Sequence, residues 1–324
     1  MAEFFLGNFE ILSNAWRQIC ARTTTKLLFS SPEWSELWWK HFAYTDELFL
    51  GAVIEGDKII GIAPLRLKGN VLHFIGNDNV CDFLDFIIEP GKEEVFFTTT
   101  LDFINHKGIT ELVLSPLLPE STVATYLNQF SQSRWNISYT QEDVIVAVNL
   151  PGNITEYLAL LSNKQRHELL RKERRLNEEG DINFNITDPV TINDINYFLH
   201  FFKESREDKK AFLTPEIKVF FIAIIDYMAN HKMLRMGILR LNSLPVAIVL
   251  CFEYRDDIYL YNSGYDPAYR WLSVGLLSKY FSIKNSIEEN KRRFDFLKGN
   301  EKYKYYLGGK ETPLYRYLIQ RRLD

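Results

Sequence analysis

Cysteine is scarce in this chain of 324 residues: Cys20, Cys81 and Cys251 are far apart and odd in number. They offer neither a disulfide framework nor a metal-ligand spacing, which fits a reducing compartment. The six histidines stand singly and no His-Glu-x-x-His occurs, so zinc chemistry is not expected and no metal site is assigned. No stretch approaches the roughly 18 apolar residues of a membrane span. The opening MAEFFLGNFEILSNAW carries Glu3 and Glu10 and lacks the basic start and apolar run of a secretory leader. A cytoplasmic protein without a transmembrane segment is the expectation. An excess of positive charge is missing too: 38 Lys and Arg against 42 Asp and Glu leave a formal charge of −4. That removes any bulk attraction to DNA, and a phosphate-binding surface, if present, must be local.

Aromatic residues, by contrast, are plentiful. With 24 Phe, 17 Tyr, 6 Trp and 46% hydrophobic residues, the chain can build a large core, and its length suits two domains. Residues 30–42 read as an amphipathic helix, with Ser31 as N-cap, Pro32 in the first turn and Trp34, Leu37, Trp38 and Phe42 at helical spacing. Runs at 48–54 and 58–67 around Glu55-Gly56-Asp57 predict a hairpin. Strands are predicted at 71–75, 82–88 and 109–115, with a helix over 93–106.

The pattern pauses at Asn149-Leu150-Pro151-Gly152, which divides the chain into domains 1–150 and 151–324. Asn153 and Glu156 resemble a capping box for a helix running to about Gly180, whose second half is strongly basic. Helices follow at 192–206 and 215–230, and strands at 234–241 and 246–254 turn at Asn242-Ser243. A strand at 258–263, a helix at 273–289 and strands at 293–297 and 314–321 complete the reading. GAVIEGDKIIGIAPL from Gly51 and GILRLNSLPVAIVLC from Gly237 place strand, polar turn and strand at the same offsets. Duplication of one α/β unit and chance similarity both remain open on this evidence.

The strand-loop-helix junction at Tyr269–Leu276 holds Arg270-x-x-Ser273-x-Gly275. Backbone N–H groups at a helix start can hold a pyrophosphate, and a splayed strand edge can pair with the amides of an extended pantetheine arm. Small Ser273 and Gly275 permit close approach, Val274 and Leu276 extend the helix start, and Arg270 can add a charge-assisted contact. An ordinary connection, with Ser273 as N-cap and Arg270 solvated, accounts for the same residues.

GYDPAYRWLSVGLL, FDFLKG and EKYKYYLG together resemble the BioF-like, CelD-like branch of the GNAT acyltransferase superfamily, itself related to the FemAB peptidyltransferases. SPEWSELWWKHF, GIAPL, CDFLDF, LSNKQRHELLRKERRLNEEG and KKAFLT extend the resemblance over nearly the whole chain. It implies an α/β (α+β) fold of two GNAT-like units in tandem, two mixed sheets flanked by helices. The superfamily's pyrophosphate loop reads Arg/Gln-x-x-Gly-x-Gly/Ala, and here Ser273 replaces the first glycine. The equivalent first-half stretch, IIEPGKEEVFF, lacks the pattern, so the donor site of the first unit is expected to be degenerate.

The resemblance implies transfer of an acyl group, most simply acetyl from acetyl-CoA or another acyl-CoA. The acceptor would be the amine of a sugar or other small molecule, as in polysaccharide or cell-envelope metabolism. A FemAB-like transferase using aminoacyl-tRNA, or a binding module on the same scaffold, is the alternative. Acyl transfer to an amine needs a proton acceptor and oxyanion stabilisation. Glu301 is the candidate base, Tyr303 the candidate acid for a leaving thiolate, and Lys304 the candidate oxyanion or substrate contact; Asp295 reads equally as a strand residue among core Phe294 and Phe296. Arg166 is nominated for an anionic substrate, with Arg174 and Arg175 on the surface. Asp82 and Asp85, three apart, would face opposite sides of a strand, one capping a turn and the other contacting the acceptor.

Overall fold

The computed structural model describes residues 2–23, 27–127 and 134–322. The chain forms two compact units, Met1–Val144 with Thr312–Asp324, and Ile145–Glu311. The division expected at residue 150 thus falls a few residues earlier, and the last strand returns to the first unit. A strand can join a sheet far from its sequence neighbours because its energy comes from pairing, not from chain proximity.

In the first unit, β1 (Ala2–Leu6) precedes α1 (Phe9–Arg22) and α2 (Pro32–Phe42). Ser31 caps α2 by accepting the Trp34 N–H at 3.3 Å, and the helix buries Trp34, Ser35 and Trp38. Then come β2 (Glu47–Glu55), β3 (Lys58–Lys68), β4 (Val71–Phe74), β5 (Ile87–Ile88), α3 (Glu93–His106), β6 (Glu111–Leu117) and α4 (Thr122–Tyr126). β7 (Trp135–Asn149) begins in this unit, and β13 (Lys310–Arg321) closes it. The strand order is β1-β2-β3-β4-β6-β13-β7, with β5 beside β3. Only β4 and β6 run parallel among the registered pairs of this unit, and α3 crosses between them.

The second unit starts with the end of β7 and contains α5 (Ile154–Leu160), α6 (Asn163–Glu178), β8 (Ile182–Thr187), α7 (Ile192–Ser205), α8 (Glu207–Phe212) and α9 (Pro215–Asn230). Next follow β9 (Leu234–Leu241), β10 (Leu244–Tyr254), β11 (Asp257–Tyr265), a 3-10 turn over Pro267–Leu272, α10 (Val274–Glu288), β12 (Arg293–Lys298) and α11 (Lys302–Tyr306). Its order is β7-β12-β11-β10-β9-β8. Buried residues run without a break from Val246 to Phe252 in β10, as a strand covered on both faces requires. Asn242 and Ser243 both have positive φ, the geometry of the tight turn that joins β9 to β10.

The two units repeat one plan. An outer strand is followed by helices, three antiparallel strands, a crossover helix and a parallel strand: β1, β2, β3, β4, α3, β6 in one and β8, β9, β10, β11, α10, β12 in the other. The similarity between the stretches from Gly51 and Gly237 aligns β2-β3 with β9-β10. This is the tandem mixed α/β arrangement the resemblance implied.

Two predicted elements differ. The helix expected from Asn153 to about Gly180 breaks at Leu161, whose backbone is extended, because Ser162 and Gln165 form a capping box that starts α6. The strand expected over 82–88 shrinks to β5. Asp85 takes up backbone N–H groups with its side chain, and only Ile87 and Ile88 pair with β3.

Candidate functional site

β11 and β12 run parallel, and their register covers only Asp257–Tyr259 against Arg293–Asp295. Beyond Tyr259, β11 continues to Tyr265 paired with β10 alone, so its far edge parts from β12 in a V. An opened edge of this kind leaves strand N–H and C=O groups able to pair with an extended amide chain. In the first unit the corresponding pair, β4 and β6, also shares three registered positions, Val71–His73 against Glu111–Val113. There the following segment fills the place: the Leu84 N–H donates to the Pro116 oxygen of β6 at 2.8 Å, and Phe83, Leu84, Asp85 and Phe86 are buried.

At the mouth of the V in the second unit, Asp266 caps the 3-10 turn by accepting the Ala268 N–H at 2.9 Å. Ser273 then adopts φ 59°, ψ 30°, the left-handed conformation that suits glycine, and α10 starts immediately after it. This reconciles Ser273 with the loop pattern: the backbone keeps the glycine-like geometry. Ser273 stands at the N-cap position of α10 but makes no side-chain capping bond. Its Oγ instead accepts from Lys172 Nζ of α6 at 3.1 Å. Val274 and Gly275 occupy the first helical positions, where backbone N–H groups lack intrahelical partners, while the Leu276 and Leu277 N–H groups both bond the Ser273 oxygen. Gly275 permits Tyr265 to pack close, since a Cβ there would lie 2.7 Å from the ring. Arg270 is exposed on the turn. Arg175 lies over the Trp271 ring at 4.8 Å. It is exposed, as expected, and its place over Trp271, at the turn before α10, is not legible in the sequence.

Side chains that the sequence reading did not single out reach the V from other elements. Lys279, one turn into α10, is 7% exposed; its Nζ donates to the Gly275 oxygen at 2.7 Å and lies 4.9 Å from the Tyr303 ring centre. Burial, reinforced by the charge of Lys209, lowers its ammonium to about 7. Lys209 of α8 donates to the Ser263 oxygen of β11 at 2.5 Å and stands over the Phe202 ring. Burial and nearby Arg206 lower it to about 8. KKAFLT contains Lys209, but a cation at a short exposed-looking helix gives no sequence sign of burial.

Lys304 departs from its expected role. It is 1% exposed, and its Nζ donates to the carbonyls of Leu297 at 2.9 Å, Lys298 at 2.6 Å and Gly299 at 3.0 Å. An ammonium has three protons, so none is left for an oxyanion; Glu301 adds an ion pair at 3.0 Å. Lys304 therefore fastens the end of β12 and the tight link after it, where Leu297 and Gly299 have positive φ. Asp295 serves the same link, accepting from the Leu297 N–H at 2.9 Å and from Arg293 at 3.2 Å. Burial pushes Glu301 upward, but Lys304 and then Arg206 outweigh it and hold the carboxyl below its usual range. Burial and the Glu301 charge raise the Tyr303 phenol, which stays protonated.

The remaining expected residues lie elsewhere. Asp85 is buried in the first unit, where it accepts from the Thr122 N–H at 2.7 Å, the Thr122 hydroxyl at 2.6 Å and the Phe86 N–H at 2.9 Å. It caps a turn, and with every contact inside the core it is not an acceptor contact. Asp82 is half-buried and lies outside any strand, so the opposite-face argument does not apply. Arg166 donates to Asn163 Oδ1 at 2.7 Å. A groove of about 470 Å³ beside it is lined by Lys164, Gln165, His167, Glu168, Arg171 and Tyr306, not by Arg166.

Residues 163–305 match the acetyltransferase (GNAT) domain family. FemX, as a crystal structure, has a TM-score of 0.67 at 12% identity, covering 97% of this chain and 96% of FemX. A conserved protein of unknown function from Bacteroides thetaiotaomicron gives 0.60 at 13% identity, with 99% and 100% covered. The C-terminal domain of a putative lysylphosphatidylglycerol synthetase from Agrobacterium fabrum gives 0.56 at 10% identity, with 96% and 92% covered. At these identities the likeness is one of fold. No curated protein matches the chain in sequence. Residues 163–305, within the second unit, are thus similar in sequence to acetyltransferase (GNAT) domains, and the solved structures share the fold alone.

Proposed function

We propose that the second unit transfers an acyl group, most simply acetyl from acetyl-CoA, to an amine on a saccharide or other small acceptor of polysaccharide or cell-envelope metabolism. The chain would then be a BioF-like, CelD-like acyltransferase of the cytoplasm. No helix among the described residues is long and apolar enough to cross a membrane. The observation that carries the reading is the parting of β11 from β12 with the start of α10 at its mouth. The pantetheine amides would pair along Leu260–Tyr265. The pyrophosphate would lie on the N–H groups of Val274 and Gly275, with Leu276 next in the helix, flanked by Arg270, Ser273 and Lys172. The first unit, whose corresponding place is filled by Phe83–Phe86, would bind no donor.

The acceptor amine would attack the thioester carbonyl directly, forming the new C–N bond and then breaking C–S. Glu301, held ionised, would take the amine proton directly or through one water. Tyr303, held neutral, would give its proton to the departing thiolate and regain one from Glu301. Arg166 is retained as a proposed acceptor contact. Isothermal titration tests the donor: acetyl-CoA should bind, and Gly275→Glu, which fills the loop, should abolish binding. Absence of binding by every CoA species would end this reading.

The fold shared with FemX and the basic face of α6 beside the donor turn favour a second reading, an aminoacyl-tRNA donor. Binding of charged tRNA without any CoA binding would select it. A folded protein that bound neither donor would be a binding module.

A further inference from the structure

Two lysines in the V of the second unit are held differently from the third. Lys304 has three carbonyls and a carboxylate around its nitrogen. Lys279 and Lys209 each have one hydrogen-bonded carbonyl, Gly275 O and Ser263 O, and each stands over an aromatic face. Neither lies within ion-pair distance of a carboxylate among the described residues. The two acids nearby are taken: Asp208 accepts a two-point contact from Arg206, at 2.9 and 2.6 Å, and Glu301 pairs with Lys304. The V therefore gathers Arg206, Lys209 and Lys279 with no acid left to balance the two lysines. Burying cationic groups without a counter-charge is unfavourable, and the carbonyls they hold belong to the two walls of the donor site, β11 and α10.

We propose that Lys209 and Lys279 form a carboxylate-binding site, which holds an anionic group of the substrate between β11 and α10. The inference rests on the second unit being the acyl-donor unit. It narrows the substrate class: either the acyl group ends in a carboxylate, as succinyl does, or the acceptor is an amine that bears one, as an amino acid does. A carboxylate has acceptor sites for both ammonium groups, and each ammonium keeps protons not used on Gly275 O or Ser263 O. Facing the pair are Arg206 and Asp208 from the α7–α8 junction, Glu301 and Tyr303 from α11, and Cys251 from β10. The Cys251 thiol is pushed up to about 12 by burial and stays neutral. An entering carboxylate would raise both lysines from about 7 and about 8, so binding takes up protons and weakens as pH rises above 7.

Titration calorimetry on the full chain tests this in two arms. The first compares succinyl-CoA with acetyl-CoA; the second compares alanine with alaninamide, with and without CoA. In one arm the carboxylate-bearing ligand should bind at least about tenfold tighter. Its binding enthalpy should change with buffer ionisation heat in the sense of proton uptake. Lys279→Met and, independently, Lys209→Met should each reduce that ratio toward one. Because the reading is a ratio, a general weakening of binding does not imitate it, and circular dichroism confirms folding. Equal affinities in both arms, or a preference that survives both substitutions, overturn the site. If no CoA species binds, the donor reading fails, and the alanine arm without CoA still decides the lysine pair.

Discussion

Lys172, in the basic helix α6, donates to the hydroxyl of Ser273, the left-handed residue at the head of α10, across 3.1 Å. A residue with a Cβ in that conformation costs about 1–2 kcal/mol, and the hydrogen bond offsets part of it. Lys172 also pairs with Glu168 at 3.2 Å, and contacts to Arg171 and Lys172 hold that carboxyl down to about 2.

Replacement at Ser273 separates the two effects. Ser273→Ala keeps the backbone cost and loses the bond, so it should destabilise by about 1 kcal/mol. Ser273→Gly loses the bond but relieves the backbone, and should stay within about 0.5 kcal/mol of the parent. Urea unfolding of both variants measures the difference; equal losses would show that the conformation carries no cost.

Lys304→Met should lower stability by about 3–5 kcal/mol, because three carbonyls and Glu301 lose a buried partner. Lys304→Arg should not restore it, since a planar guanidinium does not reproduce the compact ammonium. A Met variant of parental stability that lost only turnover would return Lys304 to the catalytic role expected from sequence.

Burial raises Asp85 to about 7 against the donors from Thr122 and Phe86. The folded state therefore binds its proton more tightly than the unfolded chain, whose carboxyl titrates near 3.8. The contribution is present in full below pH 4 and is lost as pH rises to about 7, then constant. Asp85→Asn should flatten that part of the stability profile, measured by denaturant unfolding from pH 4 to 8. An unchanged slope would show that Asp85 remains ionised in the fold.

Gly264 lies where α7 meets β11. A Cβ would come 2.3 Å from the Phe202 nitrogen and 2.4 Å from the Phe201 carbonyl carbon, backbone that cannot swing aside. Gly264→Ala should cost about 3 kcal/mol or more, whereas Gly152→Ala, with nothing within 4 Å, should be tolerated. Thermal unfolding of the pair checks the contrast.

Much of this protein was legible in local pattern. Ser31-Pro32 marks the start of α2, Asn242-Ser243 marks the turn of β9 and β10, and helical periodicity finds α3 and α9 because capping, turn geometry and amphipathic spacing act over a few residues. The same range fails for β7, whose exposed stretch around Tyr139–Glu142 shows no alternation; β13 is legible as a strand over 314–321, but not its pairing with β6 across most of the chain.

The sequence by itself determined that Arg270, Ser273 and Gly275 sit at a strand-to-helix loop, since that depends on neighbours in the chain; that two α/β halves follow one plan was decided by the strand order. Only the tertiary structure decided which charges are buried. It spent Lys304 on carbonyls, enclosed Asp85, laid Lys172 and Arg175 along the turn before α10, and brought Lys209 and Lys279 to the walls of the V. Burial and charge pairing arise from segments far apart in sequence, and a residue's letter carries no record of them.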